Sequence, residues 1–406
     1  KLGHDVLILA SDVTHMTKKA ARQGFRWRGR EQTVDGVRYF WVPTPPYSGN
    51  GPMRAANMAT FSARVLASTA LLKLGRPDVV FGSSPHIFGA GSAEILATAL
   101  RVPFVLEIRD LWPQSLVELG HIRQDHPVVR SLEVLERRLY RRAKAIVTLL
   151  PAADSHVELK GGDPSKVHWV PNGVDFDLLC GAPYEQPRDR PMEWLYAGSH
   201  ALANDLDVFL DGAKILQDRG FSGARFRLVG DGAEKQRLVA RARELTLRNV
   251  TFDDAVPKDR IYEKLHEADG FFVFLHDSPL YKWGISLNKL HDYLAVGRPI
   301  VFAGRAANDP VAEANAGLEA TRNPKKRSCA VHDEGSTEAH AATDLRISTT
   351  TAAEEPLFEK VSRCLHDAMA LLLQALMVQL QQDGGRRTTN TSAVDKPGPP
   401  PLVANL

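Results

Sequence analysis

YKWGISLNKLHDYLAVGRPIVFAG, residues 281–304, reads as a polar loop, then an amphipathic helix, then a buried strand. Gly284, Ser286 and Asn288 give a flexible, hydrogen-bonding entry, and Leu287, Leu290, Leu294 and Ala295 recur behind it at helical spacing. Gly297 stops the helix, and Arg298-Pro299 launches the apolar run Ile300-Val301-Phe302. A helix N-terminus carries roughly half a positive charge and free N–H groups, so it favours an anion, and Lys289 in the first turn adds a full charge. The stretch is either an ordinary connection in a parallel sheet or a phosphate pocket.

Outward from it, short apolar runs alternate with helical patterns. Residues 5–10, 37–42, 78–81, 104–108, 145–149 and 166–170 suit buried strands, separated by helices over 61–74, 90–100 and 128–142. After a proline-rich bridge the alternation resumes, with strands at 193–197, 225–229, 250–252, 270–275 and 300–302 and helices at 207–219, 234–245 and 260–268. The pattern predicts an α/β fold of two doubly wound Rossmann-like domains facing a central cleft. The expected divisions are 1–180, a linker at 181–192, a second domain at 193–318, and a low-complexity, largely disordered tail over 319–406. Leu357, Phe358, Val361, Leu365, Met369, Leu372 and Leu376 predict one amphipathic helix in that tail, near 357–380. The abrupt change of composition near 318–322 reads as a loss of the native reading frame. Residues 1–6 read as the end of a helix, a Gly stop and a second strand, so a first strand and a glycine-rich loop are expected to precede them.

A chain of 406 residues exceeds what one hydrophobic core usually serves. Its net charge of +3 argues against a dedicated nucleic-acid binder, although basic residues cluster at 18–30 and 137–144, each a solvated face or an anion-docking surface. No apolar run approaches the roughly twenty residues of a membrane span. Cys180, Cys329 and Cys364 lie far apart, without zinc-ligand or disulfide spacing, which fits a cytoplasmic protein. Asp253-Asp254 and Asp205 with Asp207 sit at a strand end and a helix start, where capping explains them, and no metal is assigned.

Several blocks together carry a family likeness. They are Pro43-Thr44-Pro45-Pro46-Tyr47 with Gly49-Asn50-Gly51 and Arg54, Gly82-Ser83-Ser84-Pro85-His86, Glu107-Ile108-Arg109-Asp110-Leu111-Trp112-Pro113, Pro171-Asn172-Gly173-Val174-Asp175, Tyr196-Ala197-Gly198, Val229-Gly230-Asp231-Gly232, and the opening stretch. In this order the chain resembles the family 4 glycosyltransferases of the two-domain GT-B fold, and more narrowly the WbuB-like transferases of cell-surface polysaccharide assembly. The resemblance implies a retaining transferase that takes a UDP-linked sugar, N-acetylated or deoxy, as co-substrate with no other cofactor. It implies a polyprenyl-diphosphate-linked or glycan acceptor at the inner membrane face, with peripheral membrane contact and no nucleic acid. The alternatives are a non-hydrolysing sugar-nucleotide epimerase of the same fold and an inactive fragment.

The chemistry assigns candidates. Transfer from a nucleotide sugar must neutralise a departing diphosphate and stabilise an oxocarbenium-like centre. Gly198, Ser199, His200, Gly230, Asp231, Gly284, Ser286, Asn288, Lys289 and Leu290 are the expected donor-binding positions. Asp292 stands where the family places a Glu that holds the donor, with a solvated helix Asp as the other reading. Tyr196-Ala197-Gly198-Ser199-His200 lacks the Arg and Lys that many relatives direct at the diphosphate. In the first domain Asp110, Arg109 and His86 are the catalytic candidates, and Tyr47, Asn50 and Arg54 are expected on the acceptor side.

Overall fold

The computed structural model describes residues 3–13, 29–47, 51–67, 75–118, 122–179, 190–320 and 345–347. The chain forms two compact units, one built on Lys1–Pro171 and one on Asn172–Lys396. Residues 172–179, given to the first domain by the sequence pattern, go with the second. The cause is local: the Asn172 amide donates to Ser286 Oγ at 3.0 Å, and Asn172 Nδ2 donates to the Ser286 carbonyl at 2.8 Å.

In the first unit the order is β1 (Leu7–Ser11), β2 (Arg30–Val34), β3 (Val37–Val42), α1 (Pro52–Ala67), β4 (Val80–Ser83), α2 (Ile87–Leu100), β5 (Phe104–Ile108), α3 (Gln114–Glu118), α4 (Pro127–Arg142), β6 (Ala145–Thr148), α5 (Ala153–Leu159) and β7 (Val167–Trp169). β4 to β7 form a parallel sheet in sequence order. β1 pairs in parallel with β3, and β2 folds back antiparallel on β3 across Asp35-Gly36. Both turn residues have positive φ, 49° and 79°, the geometry an Asp-Gly hairpin turn demands. This hairpin is a departure from the all-parallel expectation. The α1 helix starts at Pro52, earlier than the expected residue 61, because a proline is welcome in a first turn.

Phe61 and Val65 of α1 pack with Leu7, Leu9, Phe40 and Val42 of the small sheet, and α1 also packs against α2, which covers β4. The two sheets therefore share one helical layer. Among the described residues no ladder joins β1 to β4, and Phe81, in β4, is 55% exposed.

In the second unit the order is β8 (Met192–Ala197), α6 (Leu206–Asp218), β9 (Ala224–Val229), α7 (Lys235–Glu244), β10 (Val250–Asp253), α8 (Ile261–His266), β11 (Gly270–Phe274), α9 (Asn288–Val296), β12 (Ile300–Ala303), α10 (Pro310–Glu313), β13 (Gly317–Ala320) and β14 (Leu345–Ile347). The sheet runs β10-β9-β8-β11-β12-β13-β14, parallel except for β14. β11 is buried at every residue, as a strand covered on both faces must be. One core packs Phe209, Phe226 and Phe272 under α6 and α7, and the other packs Leu195, Val273, Leu290 and Tyr293 under α8 and α9. The chain winds outward from β8 to β10, then returns to β11 on β8's other side. That reversal opens a crevice at the carboxyl ends of β8 and β11, where ligands bind in sheets of this kind.

The expected helix near 357–380, the basic segment 18–28 and Asn50 lie outside the described residues. Among those described, no helix is long and apolar enough to cross a membrane.

Candidate donor and acceptor sites

At the reversal point two loops are zipped together by their backbones. The Gly198 amide donates to the Val229 carbonyl, the His200 amide to the Asp231 carbonyl and the Glu234 amide to the His200 carbonyl, at 3.0, 2.9 and 3.0 Å. The approach is so close that a Cβ on Gly230 would lie 1.9 Å from the Gly198 carbonyl oxygen, and one on Gly232 would lie 2.3 Å from that of His200. Gly230 also holds φ at 152°. Gly230→Ala is therefore expected to cost about 2–3 kcal/mol of stability, since the clash is with backbone and cannot be relieved by a rotamer change. Urea unfolding measures it, and an unaltered midpoint would contradict the zipped-loop account.

Lys289 reaches this junction from the first turn of α9. Its Nζ donates to the Tyr196 hydroxyl and to Asn204 Oδ1, both at 2.7 Å, and lies 4.2 Å from the Tyr196 ring centroid. Tyr196 and Asn204 in turn both donate to the Ser199 carbonyl, at 2.6 and 2.9 Å, so the ammonium and the loop after β8 form one closed network. The acceptors of Lys289 are neutral, and burial brings its pKa down from 10.5 to about 7. A half-buried ammonium whose partners are neutral is a ready partner for an anion.

The other α9 candidates have taken their own places. Asp292 is buried, not solvated. Its carboxylate accepts from Lys258 Nζ at 2.6 and 2.8 Å and from the Tyr262 hydroxyl at 2.6 Å. A carboxylate has about four acceptor positions, so one stays open for a ligand hydroxyl. Ser286 is occupied by Asn172, Asn288 is exposed, and Leu290 belongs to the core. Gly284 takes φ 103° at the end of the turn before Ile285, whose amide and carbonyl are both bonded to Asn308. The α9 helix is fixed to β8 because the Tyr293 hydroxyl accepts from the Ala197 amide at 2.7 Å. Beside α7 an open recess of about 840 Å³ includes Asp231, Gly232, Lys235, Arg243 and Asp254 in its lining. Lys235 is committed there, donating to the Gly230 and Asp253 carbonyls and to Asp254.

In the first unit the candidates cluster at the carboxyl ends of β4 and β5. Ser84, buried, organises them: its hydroxyl accepts from the Arg109 amide at 3.2 Å and its amide donates to the Glu107 carbonyl at 3.0 Å. Arg109 leans 3.9 Å from Glu107. Asp110 is exposed at the end of β5, with Arg109 and Arg54 beside it. Desolvation by the neighbouring protein raises its pKa, against the pull of Arg109 and Arg54. His86 caps α2, its Nδ1 accepting from the Gly89 amide at 3.1 Å. This assigns the proton to Nε2. Burial, with Arg54 beside it, lowers the His86 pKa to about 4, so at neutral pH the ring is a hydrogen-bond donor and not a base. Arg54, in the first turn of α1, thus acts on both His86 and Asp110. Tyr47 is half-buried at the end of a loop that Asn57 holds, donating to Thr44 Oγ1 and to the Pro45 carbonyl, both at 2.8 Å.

Sequence reasoning gave no role to Tyr196, Asn204, Tyr293, Lys258 or Ser84. The only signal was position: Tyr196 and Ser84 lie in the quoted blocks at strand ends, and Tyr293 lies in the opening stretch.

Residues 1–173 match the profile of the Glycosyl transferase 4-like domain, and residues 192–331 match that of Glycosyl transferases group 1. The chain belongs to the family 4 glycosyltransferases. Over 324 residues this glycosyltransferase is 22% identical to WcaI of Escherichia coli K12, described as a colanic acid biosynthesis glycosyl transferase, covering 75% of this chain and 76% of that one. Its fold is similar to that of sucrose-phosphate synthase from Thermosynechococcus elongatus, with a TM-score of 0.59 and 14% identity over 95% of this chain and 89% of the other. It is likewise similar to WaaG, a glycosyltransferase involved in lipopolysaccharide biosynthesis, with a TM-score of 0.54 and 14% identity over 95% and 96%. At these identities the structural likeness is one of GT-B fold.

Proposed function

We propose that this glycosyltransferase moves an N-acetylated sugar from a UDP-linked donor, with retention of configuration, to a lipid-linked or glycan acceptor in surface polysaccharide synthesis. The reading takes no cofactor beyond the nucleotide sugar and places the chain in the cytoplasm, with peripheral contact at the inner membrane face. The observation that carries it is Lys289, a half-buried ammonium with neutral partners at the strand-order reversal, beside the loop after β8. In the transfer the bond from sugar C1 to the diphosphate oxygen breaks, and a bond from the acceptor oxygen to C1 forms. The acceptor's proton leaves, and the diphosphate departs with an added negative charge. Lys289 supports the departing charge, Asp292 orients a donor hydroxyl, and Asp110 takes the acceptor proton. The relative's role in colanic acid synthesis supports the acceptor class.

The full chain with UDP tests the donor half. At a hundredfold excess over its Kd, UDP adds about 2.7 kcal/mol to folding, so the melting midpoint rises by several degrees. Release of UDP from UDP-N-acetylglucosamine only when a polyprenyl-diphosphate-linked saccharide is present then identifies transfer. Interconversion of the sugar without an acceptor would replace this reading by epimerisation, and no UDP shift would end it.

A further inference from the structure

The two side chains that hold Lys289 are themselves held. The Tyr196 hydroxyl and Asn204 Nδ2 both donate to the Ser199 carbonyl, at 2.6 and 2.9 Å. With its one proton spent there, the tyrosine oxygen can only accept from Lys289. With its NH₂ there, the Asn204 amide must turn Oδ1 towards the ammonium. These acceptors, each 2.7 Å from Nζ, take two of the three N–H bonds of the ammonium. The third is left, on a residue that is only half-buried.

Backbone fixes where Asn204 stands. It ends the short turn Leu202–Asn204, in which the Ala203 carbonyl accepts from the His276 amide of the loop after β11 at 3.0 Å. Asp205 leaves that turn at φ 45° and ψ 40°, a left-handed conformation that a residue other than glycine keeps where its surroundings impose it. The residue type matters as much as the place. Aspartate has the shape of asparagine, and here it would set a carboxylate 2.7 Å from the ammonium. The titratable groups around Nζ are instead Tyr196, from β8, and His200, from the loop after it. Both are uncharged at neutral pH, because burial raises the tyrosine's pKa and lowers that of His200 to about 4.

From this geometry we infer that Asn204 is a positioning residue for Lys289: its amide fixes the ammonium through an uncharged acceptor, so that one N–H and the whole charge stay available to the anionic donor. The inference rests on the nucleotide-sugar reading and adds to it the residue that aims the lysine without neutralising it. Asn204 itself touches no ligand. Nor does any side chain have to move, since the bonds that orient Lys289 are already made in the free protein. An acidic residue at 204 would orient the ammonium equally well and cancel it.

Titration of three full-length proteins with UDP between pH 7 and 9 separates this from a structural role: the wild type, Asn204→Asp and Asn204→Ala. At pH 7 Asn204→Asp binds UDP about tenfold more weakly than the wild type, because its carboxylate takes up the charge that the diphosphate needs. The ion pair also keeps Lys289 protonated across the range, so the variant's affinity is flat with pH. The wild type loses nearly tenfold per unit above pH 7, so the two curves cross and by pH 9 the variant is the tighter binder. Asn204→Ala, which removes the acceptor and adds no charge, binds UDP severalfold more weakly and keeps the wild-type slope. Uridine, which has no phosphate, binds all three alike. An Asn204→Asp protein whose UDP affinity follows the wild type at every pH overturns the assignment while leaving the nucleotide-sugar reading intact. So does an Asn204→Ala protein that binds UDP as the wild type does, or a loss that is equal for UDP and uridine. If the wild type itself does not bind UDP, both fall together.

Discussion

UDP binding to the wild-type chain weakens as the pH rises above 7, approaching tenfold per pH unit, and Lys289→Met abolishes that dependence together with most of the transfer activity. The free protein holds Lys289 at a pKa of about 7, so at pH 6 the ammonium is already charged and at pH 8 it is mostly neutral. A bound diphosphate favours the ammonium, so above pH 7 each binding event must take up a proton, and one proton taken up is one decade of affinity per unit. Folding moves the other way. The unfolded lysine, near 10.5, binds a proton that the folded one does not between pH 7 and that value, so this group makes the fold more stable as pH rises. The opposite signs keep loss of binding apart from loss of structure. Removing one preorganised donor to a developing anion typically lowers kcat by about 10²–10³, and Lys289→Met is expected in that range. A pH-independent UDP affinity in the wild type would show that the diphosphate does not meet Lys289.

Asp110→Asn is expected to lower transfer by about 10²–10⁴ while UDP affinity is unchanged. The carboxyl lies in the first unit, at the end of β5, so its loss leaves the loops after β8 and β9 untouched. Asparagine keeps the shape but takes no proton. Its neighbours Arg109 and Arg54 pull the Asp110 pKa down while its protein surround pushes it up, and the second effect is the larger. A raised pKa makes a carboxylate a better proton acceptor for a hydroxyl. A loss under tenfold would remove Asp110 from the acceptor's proton path.

The sheets were legible from the sequence because their signal is periodic. Residues 270–274 and 300–303 are apolar runs between glycines and prolines, and both are buried strands. Lys289 stood out for its place in a first helical turn, but its burial did not. That depends on Tyr196 and Asn204, more than eighty residues away in the chain, whose contact only the folded sheet creates. Ser286 misled in the opposite way. A serine at a loop-to-helix entry suggests a ligand contact, and here it holds the strand-to-strand connection at Asn172. The hairpin at Asp35-Gly36 had a plain turn signal that the search for parallel strands passed over.

The unjoined sheets of the first unit bear on how the purified protein behaves. Among the described residues β1 and β4 have no ladder between them, and Phe81, in β4, is 55% exposed. Such an edge is a template for any extended chain that meets it, including that of a neighbouring molecule. Among the described residues that seam is thus where an added strand would pair, and β4 runs from it directly to Ser84 and His86 at its carboxyl end.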